Sequence, residues 1–143
     1  MSDLKVFNLS EHDPWEEVFN KFPNNSKDIY YSVSYYKLFQ ELGDGVANCF
    51  FYTNKNEFVF YPFLMNSVND LGYILGNDFY DIQGAYGYNG VISNSKDPTF
   101  ISAFYLAFDD YCKKNNIIAE FTRFHPILQD RKSTRLNSSH RIR

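Results

Sequence analysis

Residues 84–90, Gly-Ala-Tyr-Gly-Tyr-Asn-Gly, are the first run whose types and spacing suit chemistry. Gly84, Gly87 and Gly90 would let backbone amides approach a ligand closely. The spacing fits neither the G-x-G-x-x-G dinucleotide turn nor the G-x-x-x-x-G-K-[ST] phosphate loop. Two readings stay open: a ligand-facing loop, or a turn whose glycines supply positive φ while Tyr86 and Tyr88 cover a sheet. The second run is Arg123-Phe124-His125-Pro126, at the end of an expected strand. Arg123 can bind a carboxylate or phosphate through two N–H groups, and His125 can accept a proton near neutral pH. The structural alternative pairs Arg123 with an acid elsewhere and gives His125 a backbone carbonyl. Asp78 and Asp81 flank the approach to the glycine loop and can act as acid or base, or hold a turn. The catalytic candidates are thus His125 and Asp81. His12 sits beside a helix cap and is incidental, and no Ser-His-Asp or Cys-His set assembles. Cys49 and Cys112 lack a C-x-x-C spacing, so they read as buried thiols and no metal site is expected.

The elements that must hold these residues follow from periodicity and punctuation. Leu4 to Leu9 suggests a short opening strand. Asp13 as cap, Pro14 in the first helical position and Glu16 three residues on predict a helix with Trp15, Val18, Phe19 and Phe22 as its buried stripe. A second helix is expected near Ser34 to Leu42, with Tyr35, Leu38, Phe39 and Leu42 on one face and Gly43 closing it. Val46 to Thr53 and Glu57 to Met65 read as a hairpin across Asn54-Lys55-Asn56. In its second strand Phe58, Phe60 and Leu64 share one face and Val59, Tyr61, Phe63 and Met65 the other. A sheet apolar on both sides needs a covering layer on each, and here these must be helices. Tyr73 to Leu75 and Phe79 to Ile82 are shorter strand candidates. Asp97-Pro98 opens a long helix striped by Phe100, Phe104, Phe108 and Tyr111 and ended by Lys113 and Lys114. Ile117 to Phe124 is the last strand. The pattern predicts an α/β (α+β) fold, a mixed sheet covered by helices.

Composition bounds the rest. The 143 residues are 44% hydrophobic and 20% aromatic, enough for one domain with a core. The net charge of −3 averages two unlike pieces. Residues 1–130 hold nine Lys and Arg against 17 Asp and Glu, whereas Arg131, Lys132, Arg135, Arg141 and Arg143 crowd the end with no acid. A basic tail ordinarily suggests nucleic acid. Here Asp130 to His140 resembles, residue for residue, the translation of a common sequencing-library adaptor. Residues 130–143 are therefore expected to be a non-native, unstructured tail, and residues 1–129 a chain cut short with an open sheet edge. The acidic remainder argues against a nucleic-acid partner. With no secretory signal and no long apolar run, the expected location is cytoplasmic, without a transmembrane segment.

The order helix, hairpin, Tyr80-Asp-Ile, Tyr86-Gly-Tyr-Asn-Gly90, long helix, Glu120-Phe-Thr-Arg-Phe-His-Pro126 resembles the first half of the FemAB-like acyltransferases, relatives of the GNAT N-acetyltransferases. The resemblance covers most of residues 15–129. It implies a GNAT-like fold and transfer of an acyl group, foremost acetyl, from acyl-CoA to an amine of a sugar nucleotide or a cell-wall or surface-polysaccharide precursor. An aminoacyl-tRNA donor is the lesser variant. Tyr86, Gly87, Tyr88, Gly90 and Arg123 would then bind the acceptor, with His125 beside them. The acyl-CoA turn of such enzymes, [Q/R]-x-x-G-x-[G/A], has no counterpart here and is expected in a later half, which would leave this chain inactive. The alternative from another class is a non-catalytic glycan-binding module built on the many tyrosines.

Overall fold

Capping chemistry starts the first helix earlier than Asp13-Pro14 suggests. In the computed structural model, which describes residues 2–125 and 140–142, the Ser10 N–H donates to the Asn8 side chain at 2.9 Å and the Asn8 N–H donates to Glu11 at 3.3 Å. This reciprocal pair opens a 3-10 turn, Leu9–Glu11, that runs into helix α1, His12–Asn20. Asp13 and Pro14 therefore lie inside the first turn. The stripe is as the spacing predicts: Trp15, Val18 and Phe22 are buried and Phe19 partly so.

Helix α2, Val33–Glu41, is capped by Ser32, whose hydroxyl accepts the Tyr35 N–H. Its face matches the predicted one in part: Tyr35 and Phe39 pack against the core. Val33 and Tyr36 are buried, while Leu38 and Leu42 are 49% and 66% exposed. Polar contacts set this rotation: the Tyr36 hydroxyl donates to the Pro62 carbonyl at 3.1 Å, and Gln40 accepts the Ala47 N–H at 2.8 Å. Gly43, at φ +88, closes the helix as expected.

The sheet begins with β1, Ser2–Asn8, followed by β2, Val46–Asn54, and β3, Glu57–Ser67, which form the predicted hairpin. β4, Tyr80–Gln83, and β5, Ile92–Ser93, share the other edge of β3: β5 pairs with Val59 and Phe60, and β4 with Leu64 to Ser67. Helix α3, Pro98–Lys114, starts at the predicted Asp97 cap and leads to β6, Ile117–Phe121, which pairs parallel with β4. Finally β7, His140–Ile142, pairs antiparallel with β6. The order is β1-β2-β3-β4-β6-β7, a mixed sheet with three helices among the described residues.

Alternation along β2 and β3 divides the core as predicted. Ala47, Cys49, Phe51, Phe60 and Leu64 pack with α1 and α2, and Phe50, Tyr52, Val59, Tyr61 and Phe63 pack with α3. Phe50 meets Phe104 and Phe108 at 5.7 and 5.0 Å between ring centroids, edge to face. Pro62 tolerates its central position because its carbonyl, and hence the side that lacks an N–H, faces the stretch between β4 and β5 and not β2.

Further expectations change. Tyr73 to Leu75 is not a strand but part of an exposed connection after the turn Val68–Leu71, where no described strand pairs with it. The outer edge of β6, expected to stand open, carries β7 along Ala119 to Phe121. Of the tail expected to be unstructured, residues 140–142 form this strand, while residues 130–139 and 143 lie outside the described residues.

Candidate functional site

Parallel strands β4 and β6 end side by side at Gln83 and Phe121. The crevice beyond the carboxyl ends of parallel strands is where backbone groups and loops are free to meet a ligand. Here it is a cleft of about 230 Å³ on the α2 side of the sheet. Asp44, Gln83, Gly84, Tyr86, Gly87 and Arg123 line it, with Leu64, Ala85, Asn89 and Phe121 completing its walls. The glycine loop and Arg123, 33 residues or more apart in sequence, thus border one space.

Helix α2 and the strand end hold the loop from two sides. The Tyr35 hydroxyl donates to the Tyr86 carbonyl at 2.6 Å. Burial, reinforced by Tyr30, pushes the Tyr35 phenol up, which keeps this donor protonated. The Tyr36 hydroxyl accepts the Ala85 N–H at 3.3 Å while donating to Pro62. Its burial drives that phenol well above its ordinary range. On the other side, Asn89 bonds the backbone of Arg123 in both directions, at 2.7 and 2.8 Å. Gly87 adopts φ +98, and a Cβ there would stand 2.5 Å from the Tyr30 ring, so glycine is required twice over.

The other candidate residues lie outside the lining of the cleft. His125 is buried, with Nε2 3.2 Å from the Asp28 carboxylate, and its ring packs on Tyr88 at 5.1 Å. It therefore has an acid within hydrogen-bonding reach. Tyr88 and Gly90 belong to the loop but do not line the cleft. Asp81 shares the sheet face of Gln83, two residues from the lining. Burial raises its carboxyl above the ordinary value, partly offset by a hydrogen bond with Asn66. Asp78 accepts from Asn69 at 3.3 Å and holds a turn. Arg123 is exposed, and no carboxylate among the described residues pairs with it.

Asp44 and Asn89 are cleft residues that the sequence reading passed over. Asp44 lies between Gly43 and Gly45, both at positive φ, and that Gly-Asp-Gly turn was its signal. Gln83 anchors the turn by donating to the Asp44 carbonyl at 3.3 Å. Asn89 had no such mark, because its partner is a backbone 34 residues away.

Among the described residues no cluster of three or more His, Cys, Asp or Glu could hold a metal ion, and no helix is long and apolar enough to cross a membrane. The glycine loop leads into β5 and not into a helix N-terminus, so it does not fit the pyrophosphate of acyl-CoA. Comparison of the chain with protein-family models, curated proteins and solved structures finds no match in any of the three.

Proposed function

We propose that this chain forms the acceptor side of an acyltransferase acting on an amine of a sugar nucleotide or of a cell-wall or surface-polysaccharide precursor. One observation carries the reading: a single cleft is lined by Arg123, Asp44 and Tyr86, all three exposed residues, Tyr86 to 74%. An amino-sugar nucleotide offers the complementary set. Its phosphates suit a guanidinium fork, its ammonium suits a carboxylate, and the C–H face of its ring packs on an aromatic.

In the reaction the acceptor nitrogen attacks the thioester carbon of acyl-CoA. The ammonium first gives one proton to a base; the neutral nitrogen then forms the N–C bond, the C–S bond breaks, and the second nitrogen proton goes to the departing thiolate, so that CoA leaves as its thiol. Of the two sequence candidates, Asp81 has the raised carboxyl and shares the sheet face of the cleft, whereas His125 is engaged by Asp28. Asp81 is the proposed proton acceptor. No donor site is assigned among the described residues. The proposed setting is the cytoplasm, where activated sugars and acyl-CoA meet, without nucleic acid as a partner.

Isothermal titration of the chain with a uridine-diphosphate amino sugar and its N-acetylated counterpart tests the reading. The free amine should bind about tenfold more tightly, a difference of roughly 1.4 kcal/mol, and Asp44→Asn should erase that preference. Equal affinity for the two would count against it.

The exposure of Tyr86 at the cleft rim also favours a second reading, a non-catalytic glycan-binding module. Saturable binding of neutral oligosaccharides, with no preference for an amine or phosphate, would select it.

A further inference from the structure

We infer that Asn89 is a positioning residue that sets Arg123 in the cleft, and that Gly84 is a glycine in order to admit it. The inference rests on the proposed role of Arg123 in holding the anionic group of the ligand.

Strand β6 ends at Phe121, so the backbone at Arg123 has left the sheet ladder. Asn89 replaces the ladder at that residue. Its Oδ1 accepts the Arg123 N–H at 2.8 Å, its own N–H donates to the Arg123 carbonyl at 2.7 Å, and it bridges in parallel fashion to Phe124. Both backbone groups of the residue that carries the guanidinium are thus fixed by one side chain and its own main chain. Asn89 is 2% exposed, although Tyr86 and Tyr88 on the same loop are exposed. A buried amide is costly unless bonded, and here its oxygen is spent on Arg123.

Gly84 supplies independent support. It is not in the left-handed region, so backbone conformation does not demand glycine there. Space does: a Cβ at residue 84 would stand 1.9 Å from Cγ and Nδ2 of Asn89 and 2.3 Å from its Cβ. The bare Cα at Gly84 leaves the room that the Asn89 side chain fills. Gly84, Asn89 and Arg123 form one clasp across the cleft, and the Arg123 guanidinium it presents suits a diphosphate.

The test uses the full chain, with inorganic pyrophosphate as probe and calorimetry as readout. Arg123→Ala should abolish binding. Asn89→Gly should weaken it about tenfold, and Gly84→Ala about as much by displacing the Asn89 side chain. The double variant should bind like Asn89→Gly alone, because with the side chain gone the new methyl has room. A variant on the opposite sheet face, Val59→Ala, controls for lost stability and should keep wild-type affinity. Hydrogen exchange at the Arg123 amide provides a second readout, slow in the parent and fast in Asn89→Gly. If Asn89→Gly binds within twofold of the parent while Arg123→Ala does not bind, the positioning role is overturned and the reading of Arg123 stands. If parent and Arg123→Ala behave alike, the reading of Arg123 fails. The clasp is then judged by exchange alone, and unchanged protection of the Arg123 amide overturns it.

Discussion

His125 and Asp28 meet at 3.2 Å although 97 residues separate them. The contact ties the segment before α2 to the strand end that carries Arg123, with Tyr30 and Tyr88 packed around it. Because His125 is buried, the carboxylate contact it would lose is one that water replaces poorly. Asp28→Ala should destabilise the fold by about 1–2 kcal/mol. Urea denaturation measures this, and a midpoint unchanged from the parent would show the pair to be idle.

On the other face of the sheet, the Tyr61 hydroxyl donates to Glu120 at 2.6 Å and lies 3.2 Å from Thr122. Burial and the facing carboxylate push the Tyr61 phenol well above its ordinary range, so it remains a donor throughout the accessible pH range. Tyr61→Phe keeps the ring and removes that donor from a carboxylate that is only 8% exposed. The expected loss is about 1–3 kcal/mol, read from the same denaturation experiment.

Asp81 makes a prediction about pH. Its folded carboxyl is raised by burial, so the folded chain binds that proton more tightly than the unfolded chain does. Stability from this group is complete below the unfolded value, about 3.9, and is lost as pH rises through the higher folded value. Asp81→Asn removes that loss. The parent should lose more stability between pH 4 and pH 7, relative to the variant, and parallel stability profiles for the two would contradict the assignment.

Two glycines at positive φ provide a controlled pair. Gly43, at φ +88, has open space around it, whereas Gly87, at φ +98, faces the Tyr30 ring. Gly43→Ala should cost about 1 kcal/mol from backbone strain alone. Gly87→Ala should cost more and should disturb the near-ultraviolet dichroism of the tyrosine cluster. Equal melting temperatures for the two variants would mean that the Tyr30 contact is slack.

These residues also show where sequence reasoning reaches. The Asp97-Pro98 helix start and the two-faced apolar β3 were legible because cap chemistry and alternation act over a few residues. The rotation of α2 was not. It depends on Tyr36 reaching Pro62 and Gln40 reaching Ala47, contacts that no periodicity encodes. The start of α1 moved because Asn8 and Glu11 formed the stronger reciprocal cap one turn upstream. For the cleft, the glycine loop and Arg123 stood out by composition. Asp44 was marked only by its two flanking glycines, and Asn89 was hidden because its place follows from a backbone 34 residues away, not from neighbours in the chain.

The most direct measurement is nuclear magnetic resonance of the isotopically labelled chain titrated with a uridine-diphosphate amino sugar. Saturable shifts at the amides of Asp44, Tyr86, Gly87, Asn89 and Arg123 are expected, and they should vanish in Arg123→Ala. No shifts, or shifts confined to residues away from this cleft, would contradict the acceptor site.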